Sequence, residues 1–367
     1  MRSIEKPSIG IGTGDKFWDA PNTLQAKIDL LRRAIDLGVG LIDTAEDYGD
    51  GQSEKIVSAA IRGCVTKPLI ATKFSPDHCG YDDLIAAAER SLWRLGIECI
   101  DLYQMHWPNP AIPLSETMSA LSSLIDQGKI SQIGLCNVSP TQLQRAQAEL
   151  GEHAIKSVQV EYNVFERTVE YSGLHQYMTE RSIVLLAYSP LDQGRFAAAP
   201  EDQRSVLESI AHLHGVSVAQ VVLNWLLIRG SATPIVRTTN IAHLIENIAA
   251  TDLILDTEEL AMIDQAFPVD IVEIPTEQIR VVTDREWGHD IYLTVDEARE
   301  NRFDFVPSPN DLAKEVQEGD FLKPVRVVES TDSKFKYDLI GGRIRYWAWV
   351  IAHEGRRPIA AQIRKGI

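Results

Sequence analysis

Long apolar runs are missing from this chain of 367 residues. No stretch of about 18 or more apolar residues occurs, so no segment reads as a helix able to span a bilayer. The opening residues, Met1 to Pro7, hold no apolar block of the kind a secretory signal requires. Cysteine is scarce too. The four residues Cys64, Cys79, Cys99 and Cys136 lie far apart, with neither CxxC spacing nor a His in ligand register. That argues against a disulfide framework or a zinc site and for reduced thiols in a cytoplasmic protein. Positive charge is also in short supply, 36 Lys and Arg against 52 Asp and Glu, for a net charge of −16. Such an excess repels phosphate backbones and anionic lipid, so nucleic-acid and membrane-surface binding are disfavoured unless the sign reverses locally. What is present is ordinary globular material, 44% hydrophobic and 24% charged. At about 150 residues per domain the length suggests two units, although a single barrel can take about 250.

From Ile9 to Ala266 short β-rich runs alternate with amphipathic helical stretches. The strand candidates are a segment near Ile9 and then 40–43, 69–72, 100–105, 131–135, 157–161, 183–187 and 233–236. Helical patterns with apolar residues at three- and four-residue spacing run over 24–37, 81–95, 114–125, 140–150 and 218–228, with further helices from Leu244 and over 257–266. Strands that are apolar on both faces and alternate with helices predict a parallel sheet, and eight repeats in about 260 residues predict a closed (β/α)8 TIM barrel. The pattern changes after Phe267-Pro268. Strand-like 271–274 leads into a polar stretch through Asp304, then a helix near 311–317, strands at 324–328 and 335–340, and a helix beginning near Gly342. This predicts a small α+β domain over 268–367, after a barrel over 1–267.

Barrel enzymes carry their reacting groups where the strands end and the βα loops begin. Asp43 ends the second strand candidate, Tyr48 lies five residues further on its loop, Lys73 ends the third strand and His106 the fourth. Four side chains able to handle protons therefore converge on one rim. The stretches Ile42-Asp43-Thr44-Ala45 through Tyr48-Gly49 with Ser53-Glu54, Ala71-Thr72-Lys73, Asp101 through Pro108, Gly128 through Asn137, Val158 through Asn163, Ala187 through Leu191, and Glu246-Asn247 follow one another in an order that resembles the aldo-keto reductase superfamily. The resemblance covers about residues 8–266.

It implies reduction of an aldehyde or ketone, with hydride delivered to carbon and a proton to oxygen, and no metal. Tyr48 is implied as general acid. A phenol with an ordinary pKa near ~10 is a weak acid at neutrality, and a neighbouring ammonium, Lys73, is expected to lower that value. Asp43 would keep Lys73 charged and oriented, and His106 would donate or shape a hydrogen bond at the carbonyl oxygen. Trp107 and the pair Phe17-Trp18 are expected as apolar pocket walls. The resemblance implies NADPH as cofactor, with NADH as the alternative. Asn137 and Gln159 match the amides that hold the nicotinamide carboxamide, Tyr188 the ring that stacks on the nicotinamide, Ser189 and Leu191 the pyrophosphate loop, and Asn247 an adenine contact. Two positions depart from the pattern. Cys136 stands where Ser is usual, which exchanges a hydroxyl for a weaker thiol partner. In the loop Ile235 to Asn240 the usual Arg for the adenosine 2′-phosphate corresponds to Asn240, while Arg237 stands three residues earlier, where Gly is expected.

The tail has its own resemblance. Ile274-Pro275 with Ile279, Leu312-Ala313 with Gly319, Lys323 through Val327, Tyr337 through Ala348 and Pro358 through Ala361 follow an order that resembles the ParB/sulfiredoxin-like fold, whose members bind nucleotide triphosphates at a Gly-x-x-Arg turn opening a helix. Gly342 and Arg345 match that turn and would form a phosphate cradle. Arg343 stands where sulfiredoxins carry their reactive Cys, so sulfinic acid repair is not expected. From Lys334 onward eight basic residues face two acidic ones, which is the local reversal of sign a nucleotide or phosphorylated ligand would need; docking of a basic tail on an acidic barrel explains it equally well. No helix-turn-helix follows, and nucleic acid stays disfavoured. The leading expectation is a cytoplasmic NAD(P)H-dependent reductase of a small aldehyde, ketone or sugar-like carbonyl. The alternatives are an NAD-dependent sugar dehydrogenase and a nucleotide-responsive regulatory protein using the tail.

Overall fold

The structure, a computed structural model, describes residues 8–14, 23–282 and 291–364. Eight parallel strands close into a barrel in sequence order: β1 (Gly10–Gly12), β2 (Leu41–Asp43), β3 (Leu69–Phe74), β4 (Leu102–Met105), β5 (Ile133–Cys136), β6 (Ile155–Glu161), β7 (Val184–Tyr188) and β8 (Ala232–Val236). β8 returns to β1 through Gly10 opposite Ile235. Around it lie α1 (Leu24–Asp36), α2 (Gln52–Ile61), α3 (Tyr81–Leu95), α4 (Leu114–Asp126), α5 (Pro140–Glu149), α6 (Thr168–Tyr171), α7 (Leu174–Glu180), α8 (Glu201–His214), α9 (Val218–Arg229), α10 (Ile241–Ala249) and α11 (Thr257–Ala266). The local reasons are visible in the sequence. In α3 the buried residues are Leu84, Ala87, Ala88, Ser91, Leu92 and Leu95, one stripe at helical spacing, and Gly96 with φ 64° stops the helix in the left-handed region. α5, α9 and α11 each open with a reciprocal cap, Ser139 with Gln142, Ser217 with Gln220 and Asp256 with Glu259.

The tail forms a mixed five-stranded sheet from β9 (Ile271–Ile274), β10 (Ile279–Val281), β11 (Val325–Glu329), β12 (Tyr337–Gly341) and β13 (Ile359–Ile363), in the order β10-β12-β11-β13-β9. Helices α12 (Val295–Glu300), α13 (Pro309–Gln317) and α14 (Arg343–His353) complete it. It has its own apolar centre, with Val325, Val327, Leu339, Ile359 and Trp347 buried among one another. In the polar stretch expected through Asp304 the described residues hold β10 and α12, and residues 283–290 lie outside them. Tertiary contacts fasten the stretch: Arg280 of β10 forks onto both oxygens of Asp338 at 2.8 Å, and the Tyr292 carbonyl accepts the Trp347 indole N–H at 2.8 Å.

The tail packs on the barrel where β5 and β6 end. Asp320 accepts from the Ser139 hydroxyl at 2.8 Å, Glu315 from the Gln142 amide at 2.9 Å, and the Gln362 amide donates to the Phe165 carbonyl at 2.9 Å. Lys323 and Arg326 both pair with Glu161, at 2.9 and 3.0 Å. The docking cations thus come from just before and within β11, ahead of the basic stretch that begins at Lys334. Among the described residues no single helix is long and apolar enough to cross a membrane.

Candidate active site

The C-terminal rim gathers the four proton-handling residues. Lys73, in β3, is 1% exposed and donates to Asp43 Oδ2 at 2.5 Å, to the Thr44 carbonyl at 3.0 Å and to the Tyr48 hydroxyl at 3.5 Å. Asp43 is buried and fully answered, its Oδ1 accepting from the amides of Gln104 at 3.1 Å and Gln159 at 2.9 Å. Burial by itself would strip the proton from Lys73, but the carboxylate of Asp43 and the neighbouring Tyr48 outweigh it and hold the ammonium above its ordinary pKa. Underneath, Glu54 is fully buried, accepts from the Thr72 hydroxyl at 2.6 Å and pairs with Arg94, while Ser53 bonds Thr13 at 2.6 Å and Thr44 at 3.0 Å. These contacts tie α2 to the ends of β1, β2 and β3, and so position the Tyr48 loop.

Lys73 pulls the Tyr48 pKa down as expected, but its effect does not decide the net value. Burial is the larger effect and raises it; the Lys73 ammonium pulls the other way, and the net direction is upward. The phenol is therefore kept protonated, the form that donates. The Tyr48 and His106 rings meet edge to face with centroids 5.6 Å apart. His106 Nδ1 lies 3.2 Å from Asp47 Oδ2. With that nitrogen carrying its proton toward the carboxylate, the neutral ring offers Nε2 as an acceptor, and only the imidazolium donates there.

One cavity of about 840 Å³ runs along the rim and is lined by Tyr48, His106, Asn137, Gln159, Tyr188 and Arg237. Ser189, Leu191 and Asn247 line it as well, as does Asp43 at its floor; Lys73 sits just behind the floor. Asn137, with φ 57°, accepts from the Tyr188 hydroxyl at 3.0 Å and donates to the His106 carbonyl at 3.1 Å, so it links β4, β5 and β7. Asn240 caps α10 by accepting from the Ala242 N–H at 2.8 Å, and both it and Arg237 line the cavity. Cys136 is buried, its thiol pKa pushed well up by burial and its sulfur directed at Gln104 Oε1, 3.9 Å away. Phe17 and Trp18 lie outside the described residues; Trp107 does border the cavity.

Sequence reasoning passed over Gln104, Asp47 and the Thr72–Glu54–Arg94 network. Gln104 carried a signal, a polar residue in an otherwise apolar strand. In the tail, Gly342 stands at the N-cap of α14 with φ 83°, where the Arg345 guanidinium packs against it. Arg345 Nη1 donates to the carbonyls of Lys323 at 2.9 Å and Pro324 at 3.1 Å. The two residues meet as expected, but this arm of the guanidinium fastens the turn to the segment that leads into β11.

A TIM barrel with a buried acid–lysine pair behind a protonated tyrosine, opening on a long cavity lined by amides, an aromatic ring and an arginine, fits a class: a barrel oxidoreductase that uses a dinucleotide. Comparison with known proteins makes it specific. The sequence profile of the Aldo/keto reductase family matches residues 8–267. The chain is 35% identical over 265 residues to the methylglyoxal reductase YeaE of Escherichia coli (strain K12), covering 72% of this chain and 92% of that one. Among solved structures it resembles the thermostable aldo-keto reductase Tm1743 in complex with epalrestat, with 35% identity, a TM-score of 0.67, and 72% and 97% of the two chains covered. An aldo-keto reductase of Klebsiella pneumoniae in complex with NADPH gives 34%, 0.65, 72% and 92%. The chain belongs to the aldo/keto reductase family, and it is an oxidoreductase.

Proposed function

We propose that the chain reduces small aldehydes, ketones or sugar-like carbonyls with NADPH, Tyr48 acting as general acid. The observation that carries this reading is the sequence Asp43, Lys73, Tyr48, which ends in the rim cavity beside His106. The donor set of that cavity fits the cofactor: the amides of Asn137 and Gln159 suit a carboxamide, the Tyr188 ring an aromatic face, Ser189 and Leu191 the pyrophosphate, Arg237 a 2′-phosphate and Asn247 the adenine. NADPH supplies the hydride when bound there. Tyr48 gives its proton to the carbonyl oxygen as negative charge develops on it, and the tyrosinate left behind is stabilised by the Lys73 ammonium 3.5 Å away. Asp43 keeps that ammonium charged and in register. His106, steadied by Asp47, borders the oxygen's position.

We read the chain as two units, 1–267 and 268–367, the second a ParB/sulfiredoxin-like fold. Its five-stranded sheet and the Gly342 turn into α14 support that reading. The seating of Arg345 on two backbone carbonyls favours a structural part for that turn over a nucleotide cradle. The test of the barrel's function is NADPH oxidation followed by absorbance with propanal or methylglyoxal as substrate. Tyr48→Phe is expected to lower kcat by about 10²- to 10⁴-fold while NADPH still binds; undiminished turnover would sink the proposal.

A further inference from the structure

A second cavity, about 580 Å³, lies between the barrel and the tail. It adjoins the reaction cavity, because Trp107, Asn137 and Tyr188 line both. Its size falls in the range of small-molecule sites. Barrel residues Trp107, Val138 and Val160 form one side, and tail residues Phe305, Phe321 and Leu322 the other. Most charged groups at its border are turned on protein partners: Lys323 and Arg326 on Glu161, Glu315 on Gln142, Asp320 on Ser139 and Arg345 on the Lys323 and Pro324 carbonyls, while Arg343 borders it as well. The wall offered to a ligand is therefore mostly apolar, and half of it comes from residues beyond the 8–267 segment that matches the family.

We propose that this interdomain cleft is a substrate subsite, in which the tail receives an uncharged alkyl or aryl substituent of the carbonyl compound being reduced beside Tyr48. The inference rests on the reductase reading and deepens it. A carbonyl carbon placed between Tyr48 and His106 has one substituent directed past Trp107, and the cleft is where an apolar chain leaves water. The substrate class is thus a medium-chain or aryl aldehyde or ketone, and the tail acts as a specificity element.

The test uses the full-length protein with NADPH and a straight-chain series from propanal to octanal. Burial of each added methylene is expected to raise kcat/KM by up to about fourfold; even half of that increment per step makes the octanal-to-propanal ratio about thirty. Leu322→Trp fills the cleft, and Phe321→Ser removes part of its wall at a side chain 37% exposed and so of low folding risk. Both variants, checked for folding by thermal melting, are expected to cut that ratio about tenfold or more. A ratio near one in the wild-type chain overturns the inference while leaving the reductase reading intact. So does a ratio that survives both folded variants. Failure to reduce any aldehyde overturns the reductase reading itself, and the subsite with it.

Discussion

Replacing Glu161 with Met tests how the tail is held on the barrel. Its carboxylate is 13% exposed and takes Lys323 on one oxygen and Arg326 on the other, at 2.9 and 3.0 Å, with Arg326 22% exposed. Lys323 has a second partner in Glu166 at 3.2 Å, whereas the ion pair of Arg326 is with Glu161. Glu161→Met removes two charge-assisted hydrogen bonds and strands a largely buried guanidinium, so a loss of about 3–5 kcal/mol is expected. Arg326→Met alone should cost less, about 1.5–3 kcal/mol, because Lys323 still neutralises Glu161. With both replaced, an apolar pair fills the joint and the penalties fail to add; the coupling energy should be about 2–3 kcal/mol. Urea unfolding of the full chain and its three variants gives that cycle directly. A coupling below about 0.5 kcal/mol would refute the reasoning. Acid supplies a second check. Burial would raise the Glu161 pKa, but Lys323 and Arg326 outweigh it and hold the carboxyl far below its ordinary 4.5. The contribution is therefore complete above about 4.5 and is lost only as the pH falls through the depressed folded value.

The pKa of Tyr48 is raised, so its donating form persists to higher pH than an ordinary phenol; reductive kcat/KM should show no alkaline limb from this group below pH 10, and a limb centred below that, abolished with Tyr48→Phe, would contradict the assignment. Arg237→Ala should weaken NADPH binding by about ten- to a hundredfold, the worth of a charge-assisted hydrogen bond, and NADH binding much less; fluorescence titration with both cofactors decides it, and equal losses count against a 2′-phosphate contact. At Gly134 an added Cβ would stand 2.7 Å from both Gln104 Cγ and Ser157 Oγ. Gly134→Ala should displace Gln104 from Asp43 and destabilise the chain by about 1–3 kcal/mol, measured by thermal melting.

The barrel was legible because each of its signals is local. α3 and α11 occupy 81–95 and 257–266 as their periodicity predicts, and Asp43, Lys73 and His106 stand at strand ends, where loops meet whatever the details of packing. What the sequence concealed depends on distance in space. That burial outweighs Lys73 at Tyr48 is a property of the folded rim, not of any motif. Gln104 and Gln159 lie 55 residues apart and converge on one oxygen of Asp43, which no spacing reveals. β10 is three residues long and is held by Arg280 on Asp338, 58 residues away, too short to announce itself. The cations that dock the tail, Lys323 and Arg326, precede the conspicuous basic stretch, because only contact with Glu161 singles them out.

Asn137 is one of the residues that line both cavities, fixed by Tyr188 on one side and by the His106 carbonyl on the other. Its amide cannot adjust to an occupant of one chamber without changing what the other chamber meets. Thermodynamic linkage makes any such influence reciprocal: by whatever factor a ligand in the interdomain cleft tightens or loosens cofactor binding at the rim, the cofactor alters that ligand's affinity by the same factor. A ligand held against the tail would be felt at the reaction centre to the extent of that coupling.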